Sequence, residues 1–169
     1  MLPVIVYTLY FYVDWSSLLS PFDLGLYALA GVVIGSLALI VGLPLSSPNP
    51  RQFIVYSVQG LKYLTSHKDT IGFQIGITGY EEIIWRVFLI STLLLILPVF
   101  LAVAISAILF WTVHEENRPI GWHSLEFFLF SILLGTTYVI TQSFIFLWAI
   151  HLSRNLLILS ASYYKEYNT

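Results

Sequence analysis

The chain alternates long apolar stretches with short polar breaks. Leu24 to Leu45 contains no charged residue and matches the length of about 20 apolar residues that a helix needs to cross a bilayer. Gly31 and Gly35 give it a small-xxx-small spacing that admits a close neighbour. Ser46 to Arg51, with Pro48 and Pro50, reads as a loop. Gln52 to Leu64 mixes Tyr56, Gln59, Lys62 and Tyr63 with apolar positions, which predicts a helix lying at the membrane interface. Thr65 to Thr70 is polar, and His67 is expected to be solvated there. Ile71 to Leu97 is predicted as one central helix that stops at Pro98. Gly72, Gly76 and Gly79 on its first half favour close packing or a bend. Val99 to His114 returns as the second arm of a hairpin. A polar loop, Glu115 to His123, leads to a span over Ser124–Ile140, a turn at Thr141 and Gln142, and a last span over Ser143–Ser160. Tyr163 and Tyr164 then form an aromatic interface belt.

The opening stretch fits this pattern less well. Leu2 to Val13 is apolar, about half a bilayer's worth, and stops at Asp14. It spans if Trp15 to Leu19 join it and Asp14 finds a partner, or else lies re-entrant or interfacial. The pattern gives an all-α fold, a polytopic integral membrane helical bundle with about six or seven membrane segments. Residues 1–69 hold the N-terminal segments and the interfacial helix, and residues 70–162 hold the core that carries the polar motifs.

Composition agrees. Hydrophobic residues make up 58% and charged residues 9%, too few charges to cover a soluble surface. The lipid bilayer is therefore the expected surrounding. A net charge of −2 without a basic run argues against a nucleic-acid partner. The absence of cysteine excludes disulfides, thiolate catalysis and Cys-ligated zinc. The start lacks the basic region of a cleavable signal and the end carries no lipidation signal, so insertion of the whole chain is expected. Arg51, Lys62, Lys68, Arg118 and Lys165 fall on one side of the topology, which the positive-inside rule makes cytoplasmic.

The exception to the apolar pattern lies in the central helix: Tyr80-Glu81-Glu82-Ile83-Ile84-Trp85-Arg86. Ionisable groups at such depth face a cavity or partners and mark function. An ion pair that only locks neighbouring helices is the plainer alternative. Glu82 and Arg86, four apart with the acid first, suit an intrahelical ion pair. Glu81 is rotated about 100° away and free for other work. Glu81 lies seventeen residues before Pro98 and His114 sixteen after it, so both rise about 25 Å from the hairpin turn. His151 lies about 14 Å up its own helix and Asn155 about 20 Å, on the same face. Phe110 shares a face with His114. Arg154 points elsewhere, to the interface or to an acid.

A carboxylate, two imidazoles and an amide at one depth suit the activation of water. Two chemistries fit. In one, Glu81 is a general base, His114 orients the water, and His151 and Asn155 donate to the oxyanion of a scissile carbonyl. In the other, Glu81, His114 and His151 bind a divalent metal such as zinc. The His-Glu-x-x-His spacing of common zinc proteases is absent.

Glu81-Glu82-x-x-x-Arg86, Phe110-x-x-x-His114 and His151-x-x-x-Asn155, in this order within apolar helices, resemble the CAAX prenyl protease type II family, also called the CPBP or Abi family. The resemblance covers about Gly79 to Leu159. Val87 departs from the glycine that many members carry after the arginine, which bears on subfamily. The resemblance implies a membrane endopeptidase in which Glu81 activates water, His114 assists, His151 and Asn155 form the oxyanion hole, and Glu82, Arg86 and Phe110 support the site. It implies a peptide or membrane-protein substrate and no committed cofactor, since members are described both as metal-dependent and as glutamate proteases. A short chain of this kind looks like a bacterial plasma-membrane member of the bacteriocin-processing type, its site opening to the cytoplasm. A non-catalytic scaffold or immunity protein on the same fold is the alternative function, and a proton-coupled transporter a further rival.

Overall fold

The computed structural model describes residues 6, 7, 10, 11, 21–114 and 120–168. Most of the opening segment, with Asp14, and the loop at 115–119, with Arg118, lie outside the described residues. Helices α1 (Pro21–Ser46), α2 (Pro50–Leu64) and α3 (Lys68–Glu82) come first. A π-helical stretch, Ile83–Phe88, continues α3 into the short α4 (Leu89–Leu93). Then follow α5 (Val99–His114), α6 (Trp122–Thr141) and α7 (Phe144–Asn168). No strand occurs among the described residues.

Local chemistry sets several of these boundaries. Pro50 opens α2, where its fixed φ suits the first turn and its missing N–H costs nothing. Gln142 closes α6 in the left-handed region at φ 50°, and its N–H donates to the Tyr138 carbonyl at 2.8 Å. Ser143 Oγ then accepts the Phe146 N–H at 3.3 Å, capping the start of α7.

Among the described residues, three helices are long and apolar enough to cross a membrane: Leu24–Ser46, Trp122–Thr141 and Phe144–Asn168. The protein is an integral membrane protein built on helices. The expected six or seven segments are not confirmed by these helices. The α5 helix is apolar but has 16 residues, short of the span of about 20. The helix from Lys68 carries five charged residues up to Arg86 and changes winding at Ile83.

The α7 helix is the central stave, packed most extensively against α1 and α2 and also against α3 and α6. Glycine makes these approaches possible. A Cβ at Gly31 would lie 2.6 Å from Phe146 O, and one at Gly35 2.2 Å from Ile150 O. At Gly60 it would lie 1.8 Å from Ser160 O. Ser160 Oγ fastens the same contact by donating to Ser57 O at 2.7 Å. A separate apolar core, including Ile90, Ala102, Leu134, Leu147 and Ile150, fills the space between α4, α5, α6 and α7.

Several expectations change. Gly72 and Gly76 have nothing within 4 Å of a Cβ position, so they make no helix contact. The irregularity of the central helix lies later, in the π-helical stretch. His67 is not simply solvated. Its Nδ1 contacts Tyr63 O at 2.8 Å, its Nε2 meets the Tyr167 hydroxyl at 3.1 Å, and its ring stacks on Tyr163 at 4.4 Å. The cause is the length of α7, which runs past Ser160 to Asn168 and lays its tyrosines along α2. Tyr164 accordingly stacks on Tyr56 at 4.7 Å.

Gly60→Ala should lower stability by about 1–3 kcal/mol, the usual penalty for overpacking against atoms that cannot rotate away. Gly72→Ala, in open space, should leave the Tm in detergent unchanged or slightly raised. Equal Tm values for the two variants would contradict the close α2–α7 contact.

Candidate active site

The π-helical stretch sits where the charged motif falls. Its irregular backbone is tied to α5 by Ser106 Oγ, which donates to Trp85 O at 2.6 Å. Such stretches interrupt the regular hydrogen-bond ladder and recur at functional sites. Arg86 lies inside this one. Its Nη1 donates to Glu82 Oε1 at 3.3 Å and its Nη2 to Ser131 Oγ on α6 at 3.1 Å. Its guanidinium lies 4.0 Å over the Phe110 ring. Glu82 and Arg86 are both fully buried.

Glu82 has a second partner. His151 Nδ1 donates to the same Oε1 at 2.5 Å. One carboxylate oxygen thus joins the α3–α4 helix to α7. The Glu82 bond fixes the proton on Nδ1 and leaves Nε2 facing Glu81, 3.7 Å from Oε2. That distance is too long for a direct hydrogen bond. The His151 ring stands edge-on to Phe110 and Phe130, at 6.0 and 5.8 Å.

Glu81 turns away from Glu82 into a cavity, with its side chain 18% exposed. Its Oε1 lies 3.3 Å from His114 Nε2. His114 Nδ1 is 2.8 Å from Phe110 O, and a carbonyl can only accept, so Nδ1 carries a proton. The Nε2–Oε1 contact then needs a second proton, on the imidazole or on the carboxyl. His114 and Glu81 therefore share a proton at the cavity surface.

Asn155 stands apart from that trio. Its Nδ2 donates to Gln74 Oε1 at 3.4 Å. Gln74 lies seven residues before Glu81, about two turns or 10 Å along the helix. Glu81, His114, His151 and Asn155 nevertheless line one cavity of about 640 Å³. Ser47, Pro48, His123 and Lys165 line it too, so it opens at the end of the bundle that holds the α1–α2 loop and the last turns of α7.

A family model described as type II CAAX prenyl endopeptidase, Rce1-like, matches residues 69–157, more than half of the 169-residue chain. The chain belongs to this family. It is a family of CAAX-type proteases, which makes a membrane-bound hydrolase the enzyme class of the chain. No curated protein and no solved structure matches it. The matched region holds all three motifs and the helices that line the cavity opposite α1 and α2.

The alternative metal set was Glu81, His114 and His151. No group of three or more His, Asp or Glu side chains among the described residues has an arrangement that could hold a metal ion. Both Nε2 atoms lie against the Glu81 carboxylate, at 3.3 and 3.7 Å. No step below runs through a metal.

Some residues of the site escaped the sequence reading. Gln74 and Ser131 gave no signal, since isolated polar residues are common in helices. Glu126 did give one. It is a carboxylate inside the Ser124–Ile140 span, the same feature that singles out Glu81. In the structure it pairs with Arg154 at 2.7 Å, which settles the open question of where Arg154 points.

Arg86→Met should destabilise the protein by about 3–5 kcal/mol, because it breaks a fully buried ion pair from one side. Thermal unfolding in detergent measures this. An unchanged Tm would mean that Glu82 does not depend on Arg86.

Proposed function

We propose that the protein is an intramembrane endopeptidase that hydrolyses peptide bonds with a water activated by Glu81. The observation that carries this reading is the Glu81 carboxylate, facing the cavity with an imidazole Nε2 on either side. A water held against Glu81 and His114 would lose its proton to the Glu81–His114 pair as its oxygen attacks the scissile carbonyl. The carbonyl π electrons move to oxygen and leave a tetrahedral oxyanion. His151 as the imidazolium, its Nδ1–H held by Glu82, would donate Nε2–H to that oxyanion, and the Asn155 amide, one turn along α7, would supply a second donor on leaving Gln74. Collapse expels the amine, which takes up the proton stored on Glu81 and His114. Atoms and charge balance, and the only co-reactant is water. Glu82, Arg86 and Phe110 support the site by holding His151.

The substrate is a peptide or a membrane-protein segment. A cavity of about 640 Å³ open at one end of the bundle suits an extended chain entering from the membrane surface. Lys165 and the start of α3 at Lys68 lie at that end. The positive-inside rule makes it the cytoplasmic side, and a bacterial plasma membrane is the proposed setting.

Glu81→Gln and His114→Ala should each lower turnover about 10²–10⁴-fold, the usual contribution of a general base and its partner. Both variants should keep the wild-type Tm. The assay is comparative proteomics of membrane peptides, followed by an internally quenched peptide drawn from the products. Wild-type rates in Glu81→Gln would leave a non-catalytic scaffold or immunity role as the reading.

Turnover should also persist after metal stripping and in excess chelator. Activity lost in chelator and restored by zinc would reject the metal-free mechanism.

A further inference from the structure

A second buried ion pair borders the same cavity and takes no part in the reaction above. Arg154 Nη2 donates to Glu126 Oε2 at 2.7 Å, and each side chain is 7% exposed. The pair joins α7 to α6. An ion pair buried this deeply gains little net stability over an apolar pair of the same shape. What it adds is direction, and three observations show where that direction is used. The Arg154 guanidinium lies 4.3 Å over the Phe130 ring, and Phe130 in turn forms one wall of the slot that holds His151. Arg154 is three residues after His151 and directly before Asn155, so its anchorage on α6 fixes the rotation of α7 at both. Glu126 is itself confined by α1: a Cβ at Gly42 would lie 2.5 Å from its Oε1 and 2.9 Å from its carboxyl carbon.

We propose that Glu126 and Arg154 are positioning residues that hold the His151–Asn155 face of α7 in register with Glu81. The two arginines act symmetrically. Arg86 lies over Phe110 and Arg154 over Phe130, and the His151 ring stands edge-on to both. This inference rests on the proteolytic reading for its effect on rate, though not for its effect on His151 itself.

Removing one partner would strand a buried charge and unfold the protein for an unrelated reason. The test is therefore the double variant E126L/R154M, which replaces both ions with apolar groups of similar size. Three quantities are measured. The first is Tm in detergent, expected to stay near wild type. The second is carbethoxylation of His151 by diethyl pyrocarbonate, read by mass spectrometry against His67 in the distant tyrosine cluster. Loosening of Phe130, the slot wall that Arg154 covers, should raise the His151 rate about tenfold as a local opening, with His67 unchanged. The third is turnover of an internally quenched fluorogenic peptide cleaved by wild type and not by Glu81→Gln. Its kcat should fall about 100-fold, the loss expected from misplacing a catalytic group by about 1 Å, with KM little altered.

An unchanged His151 rate overturns the proposal, and so does an unchanged kcat. A parallel rise at His67 and His151 with a lowered Tm also overturns it, since that marks a merely structural pair. If wild type and Glu81→Gln cleave every peptide equally, the proteolytic reading fails alone, and the ratio of His151 to His67 labelling decides the positioning.

Discussion

A single carboxylate oxygen, Glu82 Oε1, holds the centre of this protein together. It accepts from Arg86 at 3.3 Å and from His151 at 2.5 Å, so it joins the irregular helix that carries the motif to the helix at the middle of the bundle. In a low-dielectric interior neither charge can be left alone. Arg86 needs Glu82, and Ser131 and the face of Phe110 add to its surroundings. The position of His151 is then a consequence of satisfying Arg86. A change in any of these groups would be felt by all the others.

The division of labour between two adjacent glutamates follows from helix rotation. Residues one apart point about 100° away from each other. Glu82 therefore faces the packed interior and is fully buried, while Glu81 faces the cavity. The buried carboxylate has no access to water, and the open one faces the cavity where the proposed hydrolysis would take place. The π-helical winding beginning at Ile83 lets Arg86 reach Glu82, Ser131 and Phe110 together, with Ser106 occupying the Trp85 carbonyl.

The glycines answer a different constraint. Apolar helices in lipid gain little from burying apolar area against one another, so contact rests on close fit and a few polar bonds. Gly31, Gly35 and Gly60 let α1 and α2 touch the backbone of α7, and Ser160 adds a hydrogen bond at the tightest point. The polar cluster thus stands on a stave gripped by two other helices, which suits groups that must be held without water.

The apolar periodicity, the breaks at Pro98 and Gln142, and the scarcity of charge determined that this is a helical membrane protein. They also determined that Glu81 and His114 lie at similar heights on a hairpin. These follow from local geometry: rise per residue, turn chemistry and the expense of charges in lipid. The Glu82–Arg86 pairing was legible for the same reason, being set within one helix. Which imidazole nitrogen meets which carboxylate was not legible, since that depends on the rotation of α5 and α7 about their own axes. Nor was the π-helical winding, the length of α7 beyond Ser160, or the union of Glu126 with Arg154 across 28 residues. Only tertiary packing decided these, because each needs a partner from a distant part of the chain, and one sequence does not state which partner that is.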